Sequence, residues 1–392
     1  MFKDLSFSAF TMGLLTAFAG FASSFSVVLE GFRSVGASPE QAASGLMMAA
    51  VAMGLGAIIL SLPTKLPVSL AWSTPGAALL VTTGVVEGGF AVAVGAFIMC
   101  AVAIIISGVI KPLGEAVSKI PKPIASAMLA GILFGLCLAP FKAIAFDPVL
   151  GLPIFLAWAV FRVIRPLMAV PAALFVFVLV IVFGTDVTGA AIMQSFSGVA
   201  LVPVFVMPEF TLAGAISIAL PLYIVTMASQ NIPGIVVITS YGYASRAREW
   251  FTVTGILSLL AAPFGSHAIN LAAITAAMCA GEEAHPDRAK RYWAAVIAGI
   301  FYTVFGLLAG YVTAFVNLAP TILLQAVAGL ALISAFLGAV VSAVEDRDML
   351  EPAIITFLVT ASGVTIVGIS GAFWGLVAGC MVLGLRRWIF AR

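Results

Sequence analysis

The sequence predicts an all-α polytopic membrane protein with 14 transmembrane segments that form a 7+7 inverted repeat. Three observations lead to this fold class. The 392 residues are 63% hydrophobic and only 9% charged, whereas a soluble domain has about 25% charged residues. Apolar stretches of span length recur along the whole chain. Two of these stretches are interrupted at corresponding places in the two halves, which is typical of a repeat.

Each predicted segment has about 20 mainly apolar residues, the length that crosses the hydrocarbon core of a bilayer. The segments are 8–32, 38–62, 66–85, 88–110, 121–141, 144–161, 166–184, 209–231, 249–264, 266–281, 291–316, 320–343, 350–366 and 369–386, and 233–245 is interpreted as the turn before the ninth. With both termini cytoplasmic, every Lys and Arg except Arg33 and Lys142 falls in a cytoplasmic segment. Since cytoplasmic loops carry the excess of these residues, the asymmetry favours an even number of spans.

Composition and motifs exclude several classes of protein. The net charge of +2 gives no indication of a nucleic-acid partner. No HExxH, phosphate-binding GxxxxGK or Cys/His ligand set is present, so we expect neither an enzyme nor a cofactor or metal site. The four cysteines, Cys100, Cys137, Cys279 and Cys380, lie in apolar segments without paired spacing, which favours small core residues. No small-residue cleavage site follows MFKDLSFSAF, so the first span is expected to be retained.

Weak sequence similarities between the two halves of the chain support the repeat. ASSFSVVLEGFRSVGAS (22–38) resembles ASQNIPGIVVITSYGYAS (228–245), and LPVSLAWSTPGAALL (66–80) parallels APFGSHAINLAAITAA (262–277). A repeat unit with an odd number of spans places the second half upside down in the membrane, as in many secondary transporters. The second pair of similar segments contains both interrupted spans, the third and the tenth.

The interruption in span 3 predicts a short extended segment followed by a half-helix. Pro67 and Pro75 break the span, and a helix-forming run follows Pro75. Ser73 and Thr74 are candidate N-caps of this half-helix, since a side-chain oxygen before Pro at the first helical position is typical of a helix start.

The interruption in span 10 predicts the same arrangement. Pro263 and Gly265 break the span, and Ser266 is the candidate N-cap of a half-helix that starts near His267. Asn270 then lies one turn after His267, and both would project to the same side of that helix. Two half-helix N-termini that face each other inside the membrane would form an anion site, typically for a carboxylate. The alternative is a pair of proline-kinked helices without a site.

Polar side chains inside the spans are further candidates, because burying them in a membrane is costly. Gln230 and Asn231 follow Ser229 at the predicted end of span 8, where they would bind a carboxylate or brace neighbouring helices. His267 would carry a proton, bind a carboxylate, or be a neutral histidine bonded to a backbone carbonyl. Glu30, late in span 1, would carry a proton or pair with Arg33.

Two aromatic residues directly precede the predicted half-helices. Trp72 comes before the first and Phe264 before the second. Flat apolar walls of this kind suit an aromatic ligand. Ordinary packing against lipid or protein is the alternative for each ring.

The segments SQNIPG (229–234), FGSHAINLAAITAAMCAGEEAHPD (264–287) and LPVSLAWSTPGAALL (66–80) resemble the benzoate:proton symporter family, the BenE type. The resemblance runs along essentially the whole chain, and this family is similar to the uracil/xanthine and sulfate permeases. It implies a core domain (1–120 with spans 1–4, and 208–317 with spans 8–11) and a gate domain (121–207 with spans 5–7, and 318–392 with spans 12–14). It also implies a substrate site between the facing ends of spans 3 and 10, and often a homodimer.

Spans 8 and 10 depart from the pattern of the nucleobase permeases. Those proteins have carboxylates in spans 8 and 10 that take part in substrate binding and proton coupling, whereas span 8 here has Gln230 and span 10 has no Asp or Glu. The absence of a carboxylate fits an anionic substrate, because like charges repel. It leaves the proton-coupling group open: His267 or Glu30 would carry the proton, or the substrate would cross as the acid.

These observations lead to a functional hypothesis: import of benzoate or a similar aromatic carboxylate with protons, across the inner membrane of a bacterium. The expected substrate site is Trp72, Ser73, Thr74, Gln230, Asn231, Phe264, Ser266, His267 and Asn270. The core domain would move against the gate domain, by an elevator or rocking motion, to alternate access. The alternatives are a transporter of this fold for another organic anion or a nucleobase, and a channel-like anion pore.

Overall fold

Helices make up most of the chain in the computed structural model, which describes residues 5–110, 121–185, 187–197, 199, 202–272, 274–366 and 371–390. The helices are α1 (Phe7–Ala22), α2 (Phe25–Ser34), α3 (Pro39–Thr64), α4 (Thr74–Thr83), α5 (Gly89–Val109), α6 (Lys122–Cys137), α7 (Ala139–Phe146), α8 (Pro148–Ile164), α9 (Ala169–Gly184), α10 (Gly189–Ser197), α11 (Leu212–Ser240), α12 (Ala247–Ala261), α13 (Ile274–Ala280), α14 (Tyr292–Leu307), α15 (Ala309–Val316), α16 (Thr321–Val344), α17 (Leu350–Ala361) and α18 (Gly371–Phe390). The strands are β1 (Leu70–Trp72) and β2 (Ile269–Leu271). Short 3₁₀ turns lie at Pro166–Met168, Ala262–Phe264, Arg288–Lys290 and Arg347–Met349.

The long helices have the length and composition of membrane spans. Within the described ranges, 7 helical stretches are long and apolar enough to cross a bilayer. An eighth span is counted if α14, with the 3₁₀ turn before it, and α15 form one span that is bent by 52°. The expected polytopic helical membrane protein is thereby confirmed. The half-helices α4 and α13 have 10 and 7 residues, too few to cross the hydrocarbon core alone. The count of 14 segments stays a prediction.

Helix α11 corrects one predicted boundary. Span 8 was expected to end at 231, with a turn over 233–245, but the helix continues to Ser240 and the turn begins at Tyr241. A π-helical turn at Met227–Asn231 lies just before Pro233. Proline has no N–H and crowds the preceding turn, and a locally widened helix tolerates it. Ser229, Gln230 and Asn231 therefore lie inside the span and not at its end.

Strands β1 and β2 form an antiparallel pair with Leu70 opposite Leu271 and Trp72 opposite Ile269. The pairing extends beyond the strands, since the Ser73 N–H donates to Ala268 and the Ala272 N–H donates to Ser69, each over 3.0 Å. The extended segments expected in spans 3 and 10 are thus present. The two spans, about 200 residues apart in sequence, meet through their backbones, and we call this pair the ribbon (Ser69–Ser73 with Ala268–Ala272).

The second half-helix begins later than predicted. Helix α13 starts at Ile274, so Ser266 does not cap it, and the expectation of a helix from His267 is wrong. The physical reason is that residues 268–272 use their backbone groups in the ribbon and cannot also form helical hydrogen bonds. The residue that precedes α13, Ala273, lies outside the described residues.

Apart from α10, which packs against α15, the helices pack in two groups. The first consists of α1–α5 and α11–α15 around the ribbon, where α3 packs against α14, α1 against α14, and α5 against α12. The second contains α6–α9 and α16–α18, where α6 packs against α16 and α17. The groups touch where α2 meets α16 and where α4 meets α6. Their assignment as core and gate domains stays a prediction.

Small residues allow a close helix contact in the first group. A Cβ atom placed on either Gly54 of α3 or Gly299 of α14 would lie 2.5 Å from the carbonyl oxygen of the other. Without side chains at these two positions, the backbones approach closely, which is a common means of helix association in membranes. Of the four cysteines, Cys100, Cys137 and Cys279 are buried as expected, but Cys380 of α18 is exposed, so its expectation as a core residue is wrong.

Candidate functional site

Ser73 joins three elements at the start of α4. Its N–H donates to Ala268 across the ribbon, and its carbonyl oxygen accepts the first helical bond from Ala77 over 2.7 Å. Its hydroxyl oxygen accepts from the Gly76 N–H and lies 2.8 Å from the Thr226 hydroxyl of α11. The predicted N-cap role of Ser73 is confirmed. The position therefore ties the ribbon, the first half-helix and span 8 together.

The π-helical turn of α11 is fastened to the ribbon at both ends. Thr226, directly before the turn, bonds to Ser73. Asn231, its last residue, accepts from the Leu271 N–H of β2 over 2.9 Å, and its amide nitrogen donates to the Met227 sulfur. Asn231 is fully buried. π-helical turns inside helices are frequent at functional sites. Here the turn is attached to both segments of the ribbon.

Thr74 and Gln230 are the half-buried polar members of the predicted set. Thr74 is the first residue of α4 and not its cap, since Ser73 occupies that position. Pro75 has no N–H, and Gly76 and Ala77 donate to Ser73, so among the described residues the Thr74 N–H is the donor left free at this end of α4. The Gln230 side chain, between the two fastened ends of the π-helical turn, makes no hydrogen bond to any described residue.

His267 is fully buried and spans the ribbon region. Its Nε2 lies 3.0 Å from the Ser73 carbonyl oxygen. A carbonyl oxygen only accepts, so Nε2 carries the proton and donates it. The ring packs edge to face against Phe32, with centroids 5.4 Å apart, and against Phe97 at 6.4 Å. Nδ1 has no partner among the described residues. The geometry matches the alternative of a neutral histidine bonded to a backbone carbonyl.

Ser266 bonds to the backbone of His267, just before the ribbon, and Asn270 bonds to the backbone of the ribbon itself. The Ser266 hydroxyl donates to the His267 carbonyl over 3.0 Å. The Asn270 amide, oriented to satisfy its neighbours, donates to Ala71 and Leu271 over 3.1 Å each. Because Asn270 lies in a strand, three residues after His267, the expectation that both project to one side of a helix is wrong.

The two aromatic candidates pack against different neighbours. Trp72 is 1% exposed; its indole N–H donates to the Ser24 hydroxyl over 2.8 Å and its ring meets Phe21. Phe264 lies in the 3₁₀ turn before the ribbon, and its ring packs against Phe205 at 6.0 Å. No ring contact joins Trp72 and Phe264 within the described ranges.

Glu30 reaches across to the second packing group. It is 6% exposed, and its Oε1 accepts from the Gln325 amide of α16 over 2.6 Å. The alternative in which Glu30 pairs with Arg33 is not seen among the described residues, since the Arg33 guanidinium donates to the Asn317 side chain. Sequence reasoning did not identify Gln325 or Thr226. The available signal was a polar side chain inside an apolar span, and each of the two spans contains other polar side chains as well.

These features define a class of protein. A polytopic helical fold in which two broken spans meet at a buried ribbon, with half-helices leading away, is the architecture of a secondary membrane transporter. The BenE family, described as benzoate membrane transport protein, matches residues 3–385. The chain belongs to this family and is a membrane transporter, not an enzyme.

Two relatives match along nearly the whole chain. An inner membrane protein of Escherichia coli, YdcO, is 38% identical over 367 residues, which cover 94% of this chain and 93% of the relative. The benzoate membrane transport protein of Acinetobacter baylyi is 32% identical over 379 residues, covering 97% and 95%.

Solved structures show the same fold at low sequence identity. The transmembrane domain of a cyanobacterial bicarbonate transporter, BicA, superposes with a TM-score of 0.59 at 17% identity, covering 96% of this chain and 98% of that one. The murine anion transporter Slc26a9, in its inward-facing state, superposes with a TM-score of 0.61 at 12% identity, covering 99% and 69%.

Proposed function

We propose that this protein imports benzoate or a similar aromatic carboxylate together with protons, by alternating access. Family membership and the relative named for benzoate transport support the substrate class. The observation that carries the proposal is the ribbon with its fastened π-helical turn. The Ser73–Thr226 bond ties the start of α4 to the π-helical turn that contains Gln230, and the Thr74 N–H and the Gln230 amide have no hydrogen-bond partner among the described residues.

The proposed site divides the predicted residues into two roles. Thr74 and Gln230 donate to the substrate carboxylate, and the positive end of the α4 dipole adds to their effect. The six buried members hold this arrangement in place: Trp72, Ser73, Asn231, Ser266, His267 and Asn270. The substrate lies between the half-helix starts of spans 3 and 10, with the aromatic ring on the side of Trp72 and Phe264.

The finer architecture belongs to the same proposal. Fourteen spans in a 7+7 inverted repeat would place both termini in the cytoplasm, and the relative named as an inner membrane protein supports a bacterial inner membrane. The core domain would be formed by the first packing group and the gate domain by the second, with a homodimer as the assembly. Movement of the core against the gate would open the site to alternate sides.

Proton coupling has an energetic motive. Carrying one negative charge inward against an inside-negative potential costs about 2.3 kcal/mol per 100 mV. One proton per substrate cancels this cost, and more protons would make uptake electrogenic.

The decisive experiment measures uptake of labelled benzoate into proteoliposomes with an imposed pH gradient. We expect accumulation that saturates with benzoate and collapses when a proton ionophore removes the gradient. Uptake that is indifferent to the gradient would rule out symport.

A competition panel of benzoate, other organic anions and uracil then tests the substrate class. Stronger competition by another anion or by uracil would overturn benzoate as the substrate. Non-saturating ionic currents would indicate a channel-like pore instead.

A further inference from the structure

The contact between Glu30 and Gln325 joins the two packing groups inside the protein. Gln325 donates from its amide nitrogen to Glu30 Oε1 over 2.6 Å. The other carboxyl oxygen, Oε2, is buried and has no partner among the described residues. The hydroxyl of Ser26, four residues earlier and so on the same face of α2, is also buried without a partner. One face of α2 thus presents two buried oxygens without a hydrogen-bond partner, and Glu30 Oε2 can bind a proton.

Few charges lie near Glu30. Helices α1, α4 and α16, which pack against α2, contain no ionisable side chain. Helix α3 contributes only Glu40, which is exposed in its first turn and accepts from Ser38. On α2 itself, Arg33 follows Glu30 by three residues, and its guanidinium donates to Asn317. His267 packs against α2 through the Phe32 ring.

An ionised carboxylate with an unpartnered oxygen away from water is unfavourable, and a proton on that oxygen removes the charge. Gln325 can donate to Oε1 in either state, so the link to α16 survives protonation. When α2 and α16 separate, Glu30 loses this donor and meets water, where the ionised form is favoured. The contact is therefore sensitive both to the proton and to the relative position of the two groups.

We propose that Glu30 carries the coupling proton on Oε2, and that Gln325 is the positioning residue that fixes Oε1 while the two packing groups are in contact. This inference rests on the proposed proton symport and decides between its two candidate carriers. The proton enters from water on one side and leaves to water on the other, and no other bond is made or broken. His267 serves as a brace, since its Nε2 proton is committed to Ser73 and its ring is enclosed by Phe32 and Phe97.

The test uses two assays on full-length protein in proteoliposomes. The first is exchange of internal for external labelled benzoate at equal pH, and the second is accumulation driven by a pH gradient. Glu30→Gln mimics the protonated acid, so we expect exchange to persist and gradient-driven accumulation to be lost. Glu87→Gln, at an exposed carboxylate, is the matched control and should leave both unchanged. Accumulation by Glu30→Gln at the wild-type level would overturn the inference.

Gln325→Glu tests the positioning role. Two carboxyls in the place of the present pair would share a proton and hold it to higher pH. We therefore expect the pH profile of exchange to shift toward alkaline pH, which a purely structural contact would not cause. An unshifted profile would exclude Gln325 from this role. This test is independent of Glu30→Gln, so it still applies if that variant does not fold.

Failure of the proposed function is distinguishable from failure of the inference. Wild-type protein that neither exchanges nor accumulates benzoate would contradict the substrate, and exchange without gradient-driven accumulation would contradict symport. Infrared difference spectra between wild type and Glu30→Gln then test Glu30 without a substrate. A carboxylic-acid carbonyl band in the wild type that is lost in the variant supports the assignment; no such band contradicts it.

Discussion

His267 donates from Nε2 to the carbonyl oxygen of Ser73, 3.0 Å away, and so links the approach to β2 with the start of α4. One of the two histidines of the chain thus forms a hydrogen bond between the first and second halves of the sequence. Removing one partner of a buried hydrogen bond leaves the other unpaired, which costs about 1–3 kcal/mol.

The first prediction concerns this link. His267→Ala should lower the melting temperature of the purified protein and reduce benzoate transport, because the half-helix loses its support. The pH dependence of the remaining transport should be unchanged if, as proposed, Glu30 and not His267 carries the coupling proton. Thermal unfolding and uptake at several pH values check both parts. Wild-type rates would remove His267 from the site, and an altered pH profile would return it as a proton carrier.

The second prediction tests the bond between Ser73 and Thr226. Ser73→Ala removes an N-cap, which costs about 0.5–2 kcal/mol, and leaves the Thr226 hydroxyl unpaired. Thr226→Val removes the partner. The double variant should lose less stability than the two single variants together, because they share one interaction. Additive losses in thermal unfolding would show that the two hydroxyls are energetically independent.

The third prediction separates a substrate ligand from a brace. Gln230→Glu should lower uptake efficiency by about tenfold or more, since a charge-assisted hydrogen bond worth about 1.5–3 kcal/mol is replaced by repulsion of the anion. Stability should change little, because the side chain has no partner in the described part of the protein. Gln194→Glu, at an exposed position of α10, is the control for added charge. Equal kinetics of both variants would exclude Gln230 as a ligand.

The fourth prediction concerns helix packing away from the site. Gly299→Leu would place side-chain atoms against the Gly54 carbonyl, and overpacking of this kind costs about 1–3 kcal/mol. We expect a lower melting temperature. Gly338→Leu in α16 is the control, because a Cβ there meets no atom within 4 Å. Similar melting temperatures for the two variants would contradict the close contact of α3 and α14.

The candidate site was predictable where its signal was local. Ser73 before Pro75 indicates a helix start, because capping depends only on the next three residues. Ser266 gave the same kind of signal and was misleading, because the following residues pair with β1, and no local rule reports a partner about 200 residues away. Similarly, Pro233 indicated the end of a helix, but the π-helical turn before it lets α11 continue.

The sequence by itself determined that this is a polytopic membrane transporter with breaks in two corresponding spans. Hydrophobic composition, proline position and family-specific segments are properties of the chain that exist before it folds. The tertiary structure decided which polar groups are used up and which stay free. Ser73, His267 and Asn231 bond to the ribbon, Thr74 and Gln230 do not, and Glu30 meets Gln325, 295 positions along the chain. Such pairings depend on which backbones approach each other, and only packing of the whole chain fixes that.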